Sequence, residues 1–415
     1  MLRPAQRTHI GVVTSSLDDH GGVASVTEFV CETIERTGAF DLTLVSLPSS
    51  ARDGLSVALT RPATWFRGVL TMEGVWRGRP FVRVGAVGCE LEFQRYRPRQ
   101  APAQALARCD LVQVVAGVPA PAYAVCGLGK PVAVHCATRA PKDREARHRM
   151  RRGPAEMWRR EMTRITDRID RLALQRVDAI QVMNPWMLDY AREVNAGRDK
   201  PIRLVPPGVD ASRFVPRPVR DCRTAPYILF VGRLNDERKN VGLLLEAFAA
   251  LAARGEPDVR LVLAGADAPG DDFWRHVDRL GLRARVRVVA SPDRDALIAL
   301  YQDAAVFALV SEEEGFGMVV LEAMSCGVPV VSTASGGPES IIRDGVDGYV
   351  VPIGDPAAMT ARLARLVHDE GLNLRMGAAA RQAVLDRFDT PRAGQTLLET
   401  YDTLRVERRR HDQCH

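Results

Sequence analysis

The segment from Ala305 to Val331, AVFALVSEEEGFGMVVLEAMSCGVPVV, leaves few choices of fold. Val306 to Val310 and Val328 to Val331 are short apolar runs, rich in β-branched residues and without the alternation of a half-exposed strand. Each reads as a strand buried on both faces. Between them, Gly317 to Cys326 sets Val320, Ala323 and Met324 on one helical face, and Gly327 followed by Pro329 stops the helix. The unit is strand, acidic glycine-bearing loop, helix, strand, as in a parallel sheet covered by helices.

The same rhythm runs through the chain. In the first half, His9 to Thr14, Phe40 to Leu47, Asp110 to Val115, Pro131 to His135 and Ala179 to Met183 are strands. Helices are expected after Gly22, with Val23, Val26, Val30 and Ile34 on one side, and over Pro185 to Val194. Leu70 to Val84, with Trp76-Arg77-Gly78-Arg79 at its middle, reads as a hairpin, and Phe93 to Pro102 as a polar linker. In the second half, strands at Tyr227 to Val231, Val259 to Ala264 and Val286 to Val289 alternate with helices at Val241 to Ala253, Asp272 to Leu280 and Asp295 to Gln302. Pro206-Pro207-Gly208, with further prolines at 216 and 218, marks a stiff boundary. A chain of 415 residues exceeds one ordinary core. The expected class is α/β, with domains at 1–208 and 209–390 and a last helix within 391–415.

Composition narrows the function. With 46% hydrophobic and 26% charged residues the chain reads as a soluble globular protein, and no apolar run spans a membrane. A cytoplasmic location is expected. The eight cysteines, at 31, 89, 109, 126, 136, 222, 326 and 414, include no C-x-x-C pair and no metal-site spacing. The net charge of +6 comes almost wholly from arginine, lysine standing only at 130, 142, 200 and 239, and acids are interleaved with it. Nucleic-acid binding is therefore disfavoured. Pro141 to Arg171 is the exception, a basic helical run with Arg144, Arg147, Arg149, Arg151, Arg152, Arg159 and Arg160. It is either a solvated face or a docking face for an anionic acceptor or the inner membrane surface.

Loops at the carboxyl ends of parallel strands are where such sheets bind ligands, and a helix that follows aims free N–H groups at the same spot. Gly315, Phe316 and Gly317 lead into that helix, where Met318 and Val319 offer amides for a phosphate. Glu322 leans back toward this seat from one turn further in, and Glu314 faces it from the loop. The alternative is that Glu312 to Glu314 form a solvated cap. Arg233 and Lys239 follow the first strand of the second half, with Asn240 as the expected helix cap. A lysine before a helix opposes the dipole unless an anion sits there. Gly21-Gly22 opens the first helix, but it is not G-x-G-x-x-G, so dinucleotide binding is disfavoured. His135 ends its strand, either as a core histidine or as a ligand-facing one.

Glu314-Gly-Phe-Gly followed by Glu322-Ala-Met resembles the E-x7-E signature of retaining glycosyltransferases of the GT4 family, closely in the second half of the chain and thinly in the first. The resemblance implies the GT-B fold, two Rossmann-like doubly wound parallel-sheet domains facing a central cleft, with the acceptor on the first domain and a nucleotide sugar on the second. It implies that Arg233 and Lys239 grip the donor diphosphate beside Gly22, that Glu322 binds ribose, and that Glu314 and His135 hold the sugar. It further implies transfer of a hexosyl group, UDP being the commoner carrier, with no cofactor and no metal, and base recognition by backbone near Val288 to Ser291. Pro207 replaces the asparagine usual at the crossover. The rivals are a nucleotide-sugar epimerase of the same fold and a non-catalytic sugar-nucleotide-binding partner.

Overall fold

The structure, a computed structural model, describes residues 7–17, 21–48, 50, 52–150, 152–217, 225–254 and 259–413. It divides into two compact units, Met1–Pro207 with Ala393–His415, and Gly208–Arg392. The first holds eight strands, β1 (Thr8–Thr14), β2 (Phe40–Ser46), β3 (Thr71–Trp76), β4 (Arg79–Val84), β5 (Leu111–Ala116), β6 (Val132–Cys136), β7 (Ala179–Val182) and β8 (Ile202–Leu204). Their order is β3-β4-β2-β1-β5-β6-β7-β8, parallel except for β3 against β4. The expected hairpin is there. Arg77 and Gly78 turn it with φ of 49° and 78°, the left-handed pair that matches strand twist.

The second unit holds β9 (Tyr227–Val231), β10 (Arg260–Gly265), β11 (Val286–Ala290), β12 (Val306–Leu309), β13 (Val330–Thr333) and β14 (Gly348–Val351), all parallel, in the order β11-β10-β9-β12-β13-β14. Chain direction across the sheet reverses between β9 and β12. Open α/β sheets bind their ligands at such a point, outside the carboxyl ends of the two strands. Phe230, Phe248 and Phe307 are fully buried around them. Each contributes roughly 1.5–3 kcal/mol by leaving water.

Two local expectations are corrected. The supposed linker at Phe93 to Pro102 contains parts of two short helices, Glu92–Arg95 and Gln100–Ala105. The basic run from Pro141 is broken into helices Ala140–Met150 and Pro154–Arg176 by Gly153, whose φ of 110° a helix cannot hold. Several of its arginines are paired within the unit, Arg144 with Glu92 at 2.7 Å and Arg159 with Glu156 at 3.5 Å. Arg151 lies outside the described residues.

Candidate functional site

The loops after β9 and β12 meet because those strands are neighbours at the reversal point, 75 positions apart in sequence for the pair that matters most. Lys239 Nζ donates to Glu314 Oε2 at 2.5 Å, both side chains largely buried. Arg233 Nη2 lies 2.8 Å from Asp236 Oδ2. Asp236 also accepts from Arg238 Nη2 at 2.9 Å, and Arg238, 8% exposed, reaches Glu313 at 3.3 Å. Glu312 accepts from Asn240 Nδ2 at 3.4 Å and its own amide donates to the Arg238 carbonyl at 2.8 Å. The three glutamates are therefore not a solvated cap. Each is held by a different residue of the β9 loop.

Asn240 occupies the position before helix Val241–Ala252 but makes no side-chain cap, because a φ of 43° turns it away. Lys239 ends a single 3-10 turn, Glu237–Lys239, so its charge sits at the junction of two short elements.

Gly317, with φ of 104°, precedes helix Met318–Ser325. The amides of Met318 and Val319 are among the first of the helix and have no partner one turn back; that of Val320 donates to Gly317 O at 2.9 Å. No acidic residue stands in the first turn, so the seat is electropositive except for Glu314 beside it. Gly337 approaches Phe316 so closely that a Cβ there would lie 2.4 Å from the Phe316 Cα. Gly336 N donates to Glu339 Oε2 at 2.8 Å, and Glu314 N donates to Ser335 O at 2.9 Å. Glu322 is 9% exposed, and its Oε2 accepts from Tyr301 Oη at 2.7 Å. Burial and this carboxylate raise the Tyr301 pKa well above its ordinary value, so the phenol acts as a donor.

Arg233, Lys239, Gly315, Phe316, Gly317, Met318, Val319, Glu314 and Glu322 thus gather in one unit. Gly22 begins helix Gly22–Arg36 in the other, where an added Cβ would meet nothing within 4 Å. Asp236, Arg238 and Tyr301 were not anticipated, and Glu313 only as part of a solvated cap. The one hint is the cluster of two acids and three bases from Arg233 to Lys239, whose partners in the acidic triplet are distant in the chain.

His135 is corrected. It stands one residue before the end of β6, but its ring is fully buried within the N-terminal unit, and Nε2 donates to Val205 O at 2.7 Å. The neighbouring strand β7 sets Gln181 in register with it. Burial lowers its pKa to about 4 from the ordinary 6.5. A group depressed in this way binds a proton in the unfolded chain first, so it contributes stability above pH 6.5 that is lost as pH falls toward 4, roughly 3 kcal/mol in all. Asp170, raised to about 7 by burial, has the opposite slope. His135→Gln keeps the donor to Val205 and removes the titration. The difference between parent and variant melts should therefore narrow on acidification; a gap unchanged from pH 7 to 4 contradicts a buried neutral imidazole.

Residues 219–383 match the family described as Glycosyl transferases group 1. The D-inositol 3-phosphate glycosyltransferase of Xylanimonas cellulosilytica is 35% identical over 230 residues, 51% of this chain and 54% of that protein. The N-acetyl-alpha-D-glucosaminyl L-malate synthase of Bacillus anthracis is 32% identical over 174 residues, 42% and 44% of the two chains. The chain spans about half the length of the curated relatives it matches. Among solved structures, sucrose-phosphate synthase from Thermosynechococcus elongatus aligns over 97% of this chain and 100% of its own, with a TM-score of 0.72 at 20% identity. HepE of Anabaena, solved with UDP-glucose, aligns over 96% and 100%, with 0.69 at 16%. These two likenesses concern the fold alone.

Proposed function

We propose, on the premise that the chain belongs through residues 219–383 to the group 1 glycosyl transferases and has the GT-B fold, that it moves a hexosyl group from a nucleotide-diphosphate sugar to a small anionic acceptor. UDP is the expected carrier, configuration is retained, and no metal takes part. The observation that carries this is the meeting of Lys239 and Glu314 beside the free amides of Met318 and Val319. The acceptor class is suggested by two relatives named for inositol phosphate and for malate, both anionic.

In this reading the sugar–phosphate bond breaks as the acceptor oxygen bonds to the anomeric carbon, and the acceptor proton passes to the departing phosphate oxygen. Charge builds on the diphosphate. Arg233, Lys239 and the helix amides stabilise it, the two cations exchanging their carboxylate partners for phosphate. Glu314, released from Lys239, accepts from sugar hydroxyls, and Glu322, steadied by Tyr301, from the ribose.

Thermal-shift screening with UDP-, GDP-, ADP- and dTDP-hexoses should find one that raises the melting point, since a ligand at 100 times its Kd adds about 2.7 kcal/mol. Transfer from that donor to inositol phosphates or hydroxy acids should persist in EDTA. Failure of every donor to stabilise the protein refutes the reading, and conversion of the donor without acceptor points to an epimerase. Activity abolished by EDTA and restored by Mn²⁺ contradicts the metal-free part alone.

A further inference from the structure

The two edges of the N-terminal unit's sheet differ. β8 is three residues long, and its Arg203 reaches Glu399 and Thr403 of the C-terminal helix, each at 3.3 Å. β3, at the other end of the sheet, is six residues long and pairs with β4 in unbroken register. It carries no lysine, no proline and no bulge, the devices that protect an edge from another strand. Beside the exposed Thr71 and Glu73 it leaves apolar side chains exposed, Val75 at 73% and Met72 at 42%. The loop leading into it adds Phe66 at 94% and Trp65 at 54%. Seven of the sixteen exposed large hydrophobics among the described residues fall between Leu59 and Val87.

Such a concentration is the mark of an interface, and the order of residues in β3 says what fits it. If two copies of β3 pair antiparallel about a two-fold axis perpendicular to the sheet, opposite residues lie on the same face, so the axis passes through a residue. Centred on Glu73, that arrangement sets two carboxylates face to face, which is unfavourable. Centred on Gly74, it sets Gly74 against Gly74 with no side chain at the axis, Glu73 against Val75, Met72 against Trp76, and Thr71 against Arg77. No like charges meet. Phe81 of β4 already lies over Gly74, so the centre is roofed by an aromatic ring from each copy.

We infer that this edge is a self-association surface: two copies of the chain join through antiparallel pairing of β3 centred on Gly74, extending one sheet into the other. The proposal is independent of the transferase reading, since it rests on none of that site's residues.

Gel filtration with light scattering at micromolar concentration should give twice the mass of the chain. Met72→Glu with Val75→Glu should weaken the association on the order of tenfold or more, because Glu at 75 then faces Glu73 of the other copy and a charge faces Trp76, with the melting point of the fold retained. Register is tested separately by single exposed changes, in a background with Cys222 and Cys414 replaced by serine. A mixture of Glu73→Cys and Val75→Cys chains should be joined by a short bis-maleimide far more efficiently than either chain with itself. A monomer at all concentrations, a dimer indifferent to the two glutamates, or equal cross-linking within each single variant overturns the inference.

Discussion

Lys239→Ala is expected to lower kcat on the order of 10²-fold or more, about 3 kcal/mol of lost charge stabilisation at the departing diphosphate. The lysine is well placed for such an effect, because its ammonium is largely shielded from water and already fixed against Glu314 at 2.5 Å. A cation held in place needs little reorganisation when the anion arrives. The same pair could instead be a strut between two loops, and a double variant separates the cases. If Lys239 only neutralises Glu314, then Glu314→Gln added to Lys239→Ala restores turnover. If it acts on phosphate, the double variant stays as slow as the single one. Steady-state kinetics with the donor found by thermal shift decides, and a near-normal kcat for Lys239→Ala removes the residue from the reaction.

The second large effect is on stability. Arg238→Ala should destabilise the C-terminal unit by roughly 3–5 kcal/mol, the usual result of removing one partner of a buried ion network. Arg238 is 8% exposed and stands between Asp236 at 2.9 Å and Glu313 at 3.3 Å. Without it both carboxylates stay buried with a lost counter-ion, and repulsion spreads the β9 and β12 loops. Arg238→Lys should recover only part, since an ammonium cannot make the forked contact. Chemical denaturation measures this directly. A loss below about 1 kcal/mol would mean that the backbone tie from Glu312 N to Arg238 O holds the loops by itself.

Legibility followed the range of the forces involved. The parallel strands were readable because a strand buried on both faces is mostly apolar, as β12 is throughout. The helix Met318–Ser325 was readable because its start and stop are local backbone events. The short helices near Glu92 and Gln100 were missed since neither, at four and six residues, is long enough to show a period. The burial of His135 was left open for another reason. A residue's place along a strand says nothing about which neighbouring strand covers it, and β7 and Val205 arrive from more than forty positions away.

The amino-acid sequence by itself determined the alternation of strands and helices, the helix start at Gly317 and the residue types available for chemistry, all of which depend on neighbours in the chain. Only the tertiary structure decided which charges meet. Lys239 finds Glu314, Arg238 finds Glu313 and Asn240 finds Glu312 because β9 and β12 are adjacent at the sheet's reversal point. Coulombic pairing depends on distance in space, and strand order fixes that distance while leaving no local trace along the chain.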